Sequence, residues 1–217
     1  MKTRYKIIKC MIIFIFSLSP LYSNNAGDWG ISAAANYSQP VGGLNEWFKS
    51  TVNFAVGAGK QINDKWFVES GLEYTKYDDE NLSGYAKGRL QLELQHIGIT
   101  VNGNYKLGRI SILNPYLNLG GGLYSWKGIR GEIQADSTLN PVLPFIAEKK
   151  LEEWNWGFRA GLGVEFNITE QISIDILGYY RIVVGDLWPT LQPHIELENV
   201  SGFTSVNVSL QVRYYIK

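Results

Sequence analysis

The sequence predicts an all-β chain, an eight-stranded antiparallel up-and-down transmembrane β-barrel, on three observations. Apolar and polar residues alternate with a period of two in pieces of about ten residues. Long and short connections between those pieces follow one another in strict alternation. The first residues have the make-up of an export signal.

The leader comes first. Met1 to Lys9 holds four cations, Lys2, Arg4, Lys6 and Lys9, and no acid. Cys10 to Leu21 is almost wholly apolar, and Tyr22 to Ala26 offers small and polar residues. The apolar run falls short of the roughly 20 residues a spanning helix needs. Residues 1–23 are therefore expected to be a signal peptide, cut after Ser23 or Ala26. Residues 24–217 then form one barrel domain bound for the outer membrane of a Gram-negative cell envelope. Cys10 has no apolar stretch before it and does not suit lipid attachment. The mature chain has no other cysteine, which excludes a disulfide framework, a thiolate metal site and a thiol nucleophile.

The strands follow in order. Trp29 to Tyr37 is the first piece. In the second, Phe54, Val56 and Ala58 alternate with small or polar neighbours up to Ile62. In the third, Trp66, Val68, Leu72 and Tyr74 share one face, with Glu69, Glu73 and Thr75 on the other. The fourth sets Ile97, Ile99, Val101 and Tyr105 against His96, Thr100, Asn102 and Asn104. The fifth sets Leu117, Leu119 and Leu123 against Asn118, Gly120 and Gly122. The last three are the most regular. From Trp154 to Ile168 every even position is apolar, while Arg159 and Glu165 stand among the odd ones. Ile172, Ile174, Ile176, Tyr180, Ile182 and Val184 oppose Ser173, Asp175 and Arg181. Val206, Val208, Leu210, Val212, Tyr214 and Ile216 oppose Ser205, Asn207, Ser209, Gln211 and Arg213.

Alternation alone also fits a soluble barrel, so the connections decide. Asn63-Asp64-Lys65 and Thr169-Glu170-Gln171 are tight turns, and Lys106 to Asn114 is a modest one. Gln39 to Thr51, Asp78 to Gln91, Lys127 to Glu153 and Asp186 to Gly202 are long. Outer-membrane barrels pair short periplasmic turns with long external loops, and carry aromatic girdles at both interfaces. Trp29, Trp66, Tyr105, Tyr116, Phe166 and Tyr214 are expected in the girdle at the turn end. Tyr37, Phe54, Tyr74, Trp126, Trp154, Trp156 and Phe203 are expected in the girdle at the loop end.

The polar faces point inward in such a barrel. They place Glu69, Glu73, Arg159, Glu165, Asp175, Arg181 and Arg213 in a lumen just wide enough to be filled by side chains. A hairpin centred on Glu170 sets Glu165 opposite Asp175 and Arg159 opposite Arg181. Like charges directly opposed are destabilising, so Arg213 is expected to serve the acid pair and Glu73 the arginine pair.

A resemblance is carried by Leu92 to Leu107, LELQHIGITVNGNYKL, and by Asn114 to Tyr124, NPYLNLGGGLY. Together they resemble the fourth and fifth strands of the outer-membrane β-barrel family common in Bacteroidetes, which includes the PorT-like proteins. Trp156 to Ile168, WGFRAGLGVEFNI, is similar to the glycine-rich sixth strand of that group. The resemblance implies an eight-stranded barrel and no particular chemistry. One departure is the end of the chain, Tyr214-Tyr215-Ile216-Lys217, where such barrels often close on an aromatic residue read by the barrel assembly machinery.

Function classes narrow accordingly. The mature chain, without its leader cations, is about four charges negative and has no basic run, which makes nucleic acid an unsuitable partner. His96 and His194 are the two histidines. His96 sits on the polar face of the fourth strand with no serine two residues away, and His194 lies in the last long connection, so neither suggests a hydrolase triad. Asp78-Asp79-Glu80 lacks the glycine-punctuated pattern of a calcium loop. The glycines precede no helix and are not phosphate cradles. No catalytic residue, metal site or cofactor is expected. The reading is a non-enzymatic barrel, in contact with outer-membrane lipid, whose long loops meet an envelope or extracellular protein. Pro141 to Ala147, an apolar run in the longest loop, carries most of that reading. A narrow channel for small solutes is the alternative, and a lipid-modifying enzyme the third.

Overall fold

The computed structural model describes residues 28–79, 92–132, 134–135, 138, 145, 147–186 and 201–216. The leader, Glu80, Pro141 to Pro144, Ile146 and His194 lie outside the described residues. The elements are β1 (Trp29–Val41), α1 (Gly43–Trp47), β2 (Thr51–Gln61), β3 (Trp66–Tyr77), β4 (Leu92–Lys106), β5 (Leu113–Arg130), β6 (Lys149–Asn167), β7 (Ile172–Asp186) and β8 (Ser201–Ile216). Each strand pairs antiparallel with the next, and β1 pairs with β8 to close the barrel.

Register fixes the geometry of closure. A row of paired residues runs from Trp29 through Lys60, Val68, Gly103, Leu119, Ala160, Tyr180 and Val206 to Gln39. It returns to β1 ten residues beyond its start, a stagger that tilts the strands by roughly 40° to the axis. The hairpin about Glu170 has the expected register, Glu165 facing Asp175 and Arg159 facing Arg181.

Local chemistry sets the tight turns. Asn63 Oδ1 accepts from the amides of Lys65 and Trp66 at 2.9 Å each. Thr169 Oγ1 accepts from Gln171 and Ile172 in the same way. At the opposite end the β7–β8 ladder shifts register between Val183 and Asp186, beside Gly202 at φ +105. A bulge there needs a residue free to take that angle, which glycine is.

The burial pattern is that of a soluble protein turned inside out. Ile31, Val56, Leu72, Ile99, Leu162 (64% exposed), Ile176, Val208 and Leu210 point outward from every part of the wall. Asn36, Glu69, Thr100, Asn118, Asp175 and Arg213 are buried. Exposed apolar surface that encircles the molecule far exceeds what a soluble monomer shows. It is the lipid-facing band of a membrane barrel.

Three expectations are corrected. Tyr116, Trp126 and Phe203 are buried inside the barrel and belong to neither girdle, because each has the strand parity of the inward-facing residues around it. The remaining girdle members keep partial or full exposure, among them Trp29, Trp66 and Tyr214 at one end and Tyr37, Phe54, Tyr74, Trp154 and Trp156 at the other. The connection read as Lys127 to Glu153 is shorter, since pairing continues to Arg130↔Lys149 and an outward ion pair joins Lys127 to Glu152 at 3.1 Å. The connection read as Gln39 to Thr51 is partly structured. It holds α1, which folds over the barrel mouth.

Candidate functional site

The interior is layered. At the loop end α1 and the residue that follows it lay Leu44, Trp47 and Phe48 against Tyr77 of β3, Leu92 and Leu94 of β4, Trp126 of β5, Val183 of β7 and Phe203 of β8. Trp126 and Phe203 meet edge to face with ring centroids 4.9 Å apart. This apolar cluster occupies the mouth.

Beneath it lies a first charged layer. Arg181 Nη1 donates to Glu73 Oε1 at 2.7 Å, and Arg159 approaches the other Glu73 oxygen at 4.0 Å. Glu73 thus stands between the two opposed arginines and relieves their repulsion. Arg159 also lies over the Tyr179 ring, 5.1 Å from its centroid. Arg181 Nη2 donates to His96 Nε2 at 3.3 Å, and His96 is packed by the rings of Tyr77 and Tyr124. A histidine whose ring nitrogen already accepts from a guanidinium is poorly placed to act as a general base.

A second charged layer fills the turn end. Arg213 Nη2 lies 2.8 Å from Asp175 Oδ2, and Nη1 lies 3.6 Å from Glu165. Its guanidinium also covers the Phe67 ring at 4.3 Å. Glu165 accepts from Tyr215 Oη at 2.6 Å and pairs with Lys106 at 3.1 Å. Glu69 accepts from Gln211 Nε2 at 3.1 and 3.3 Å and from the Ser32 hydroxyl, and lies 3.9 Å from Arg213. The seven residues chosen from sequence therefore divide into Glu73, Arg159 and Arg181 above, and Glu69, Glu165, Asp175 and Arg213 below. Reading by sequence missed Lys106, Tyr215 and Gln211 as partners. All three share the inward parity of Asn104 or Arg213, which is the signal that would have found them.

A cavity of about 30 Å³ separates the layers, bordered by Asn36, Glu69, Glu73, Thr100, Asn102 and Gln211 among others. Elsewhere, Asp78 sits on Lys76 at 3.1 Å and Asp79 on Lys49 at 2.7 Å. Each described acid of that loop is thus engaged by a lysine. Among the described residues no cluster has the make-up of a metal site.

Comparison with known proteins agrees with this architecture. The family described as outer membrane protein beta-barrel domain matches over residues 10–213. No curated protein matches the sequence. Among solved structures, neisserial surface protein A is similar at a TM-score of 0.52 and 16% identity, over 86% of this chain and 96% of that one. A major outer membrane protein from Thermus thermophilus has a TM-score of 0.51 and 14% identity, over 87% and 99%. Ail, the attachment invasion locus protein of Yersinia pestis, in complex with the heparin analogue sucrose octasulfate, has 0.50 and 13%, over 88% and 99%. At these identities the likeness is one of fold.

Proposed function

The chain belongs to the outer membrane protein beta-barrel domain family, and from that premise we propose that it is a non-enzymatic, non-conducting barrel that presents its long connections to a partner outside the cell or within the envelope. One observation carries the reading: both ends of the lumen are occupied, the loop end by apolar side chains and the turn end by paired charges. A barrel of eight strands has little room to spare inside, so its exposed differences lie in its loops. Export through a leader cut after Ser23 or Ala26, insertion by the barrel assembly machinery and lifelong contact with outer-membrane lipid belong to the same proposal. So does membership of the Bacteroidetes-type, PorT-like group, which the residues of β4 to β6 support.

The connection between Arg130 and Lys149 is the foremost contact surface in this reading. Phe145 there is 56% exposed, an aromatic side chain outside the core. A photo-crosslinking residue at Phe145 should trap a discrete protein species in intact cells. Replacement of residues 134–147 by a short glycine-serine turn should abolish that species while the barrel still folds. Recovery of lipid adducts alone would overturn the partner reading, and an altered lipid A mass spectrum on loss of the gene would favour the enzymatic one.

A further inference from the structure

We propose that α1 is a removable apolar stopper at the loop end of a lumen whose turn end is held by a charged seal, and that a wet chamber between the two charged layers is reached, past Glu73, Arg159 and Arg181, when α1 leaves the mouth. This rests on the closed-lumen reading above and adds to it a moving part.

The manner in which α1 is held makes it removable. Its described buried contacts are apolar, through Leu44, Trp47 and Phe48, and a buried polar atom it brings, Trp47 Nε1, has no hydrogen-bond partner among the described residues. A donor buried without an acceptor lowers the stability of the seated state. Polar ties of the segment to the rim include Gln39 to Asn45 at 3.1 Å, the Lys49 amide to the Asp79 carbonyl at 2.8 Å, and the Lys49–Asp79 ion pair at 2.7 Å with both side chains about half exposed or more. Exposed ties of this kind hold weakly. The segment enters from Gly42 at φ +62, and no side chain caps its helix. Among the described side chains of the segment, burial is hydrophobic and brings no buried polar anchor.

Beneath it, below the layer of Glu73, Arg159 and Arg181, the chamber is built for water. Its 30 Å³ has room for about two water molecules. Asn102 Oδ1, buried at its edge, has no partner among the described residues and presents an acceptor. Glu69, Glu73 and Gln211 add polar walls. Below, the interlocked group of Arg213, Asp175, Glu165, Lys106 and Tyr215 closes the cross-section. Its opposite charges lie beside one another, which holds the group together across the lumen.

Silver ion tests this, being small enough for such a chamber and reactive with thiols. Ser209 borders the chamber and is buried. Ser209→Cys is placed in a chain whose Cys10 is serine, folded in detergent, and the thiol left after timed exposure to silver is counted after denaturation. With α1 intact the thiol should react slowly, although the turn end is fully exposed to the reagent. With Leu44→Ser and Phe48→Ser it should react at least about tenfold faster, as expected when a protecting segment opens. Phe48→Ala gives the same readout if the double change prevents folding, which the gel shift on boiling reports. Fast reaction with α1 intact, or an unchanged rate in a folded stopper variant, would overturn the proposal. Conductance of the unaltered protein would instead overturn the closed-lumen reading itself, so the two failures are distinguishable.

Discussion

Lys106 balances the lumen. In the two charged layers, among the described residues, Glu69, Glu73, Glu165 and Asp175 face Arg159, Arg181 and Arg213 until Lys106 is added at 3.1 Å from Glu165. Charges buried in this way must find partners, because an unpaired one costs several kcal/mol. Arg213 has the most at stake, lying near Asp175, Glu165 and Glu69 together. Arg213→Met should destabilise the barrel by about 3–5 kcal/mol in denaturant titrations in lipid. Asp175→Asn in the same chain should restore part of that loss, since the stranded carboxylate is then removed. Strictly additive effects in that double-mutant cycle would mean that the two do not interact. A second residue-scale expectation concerns Tyr124, whose ring lies across Gly98 and Gly157 of the neighbouring strands. A methyl at Gly157 would sit well inside contact distance of that ring. Gly157→Ala should therefore cost about 1–3 kcal/mol through overpacking, read as a lower denaturant midpoint. The principal charged pairs were legible in the sequence because parity and one turn centre determine which residues meet. Lys106 and Tyr215 escaped because each lies at a strand end, where alternation is easily taken to have stopped.

At the scale of elements, the strands were legible and the loop segment was not. Eight pieces of strict alternation suffice to find a barrel wall, since each outward residue must meet lipid and each inward one must not. The same rule puts Tyr116, Trp126 and Phe203 inside, because parity and not height along the strand decides which face a residue takes. The short helix Gly43–Trp47 leaves no such trace. Five residues are too few for a helical period to show, and what holds α1 is the apolar mouth contributed by distant strands. The extension of β5 and β6 to Arg130 and Lys149 was hidden because Lys127, Lys149, Lys150, Glu152 and Glu153 read as loop composition. There the strands rise past the aromatic belt, and outward positions carry ion pairs in place of apolar side chains. The face assignment of β6 is tested by Leu162→Arg. Leu162 lies outward between Phe166 near one belt and Trp156 at the other, so an arginine there should cost about 2–4 kcal/mol in lipid. A neutral result would mean that β6 presents the opposite face to the membrane.

The whole molecule is a closed wall around a filled interior. Closure leaves no free sheet edge within the band, as a membrane requires, because an unpaired backbone group has no water there to satisfy it. The stagger of ten residues makes the wall a tilted cylinder. Inside that cylinder the order is apolar cluster, charged layer, small cavity, charged layer. Conductance across a planar bilayer tests the central claim, that this is an outer-membrane barrel without an open path. Protein that has folded, shown by its faster migration on a gel when unboiled, should insert and leave the current at its baseline across the voltage range. Discrete, reproducible current steps from the same folded protein would contradict the account and make the barrel a channel.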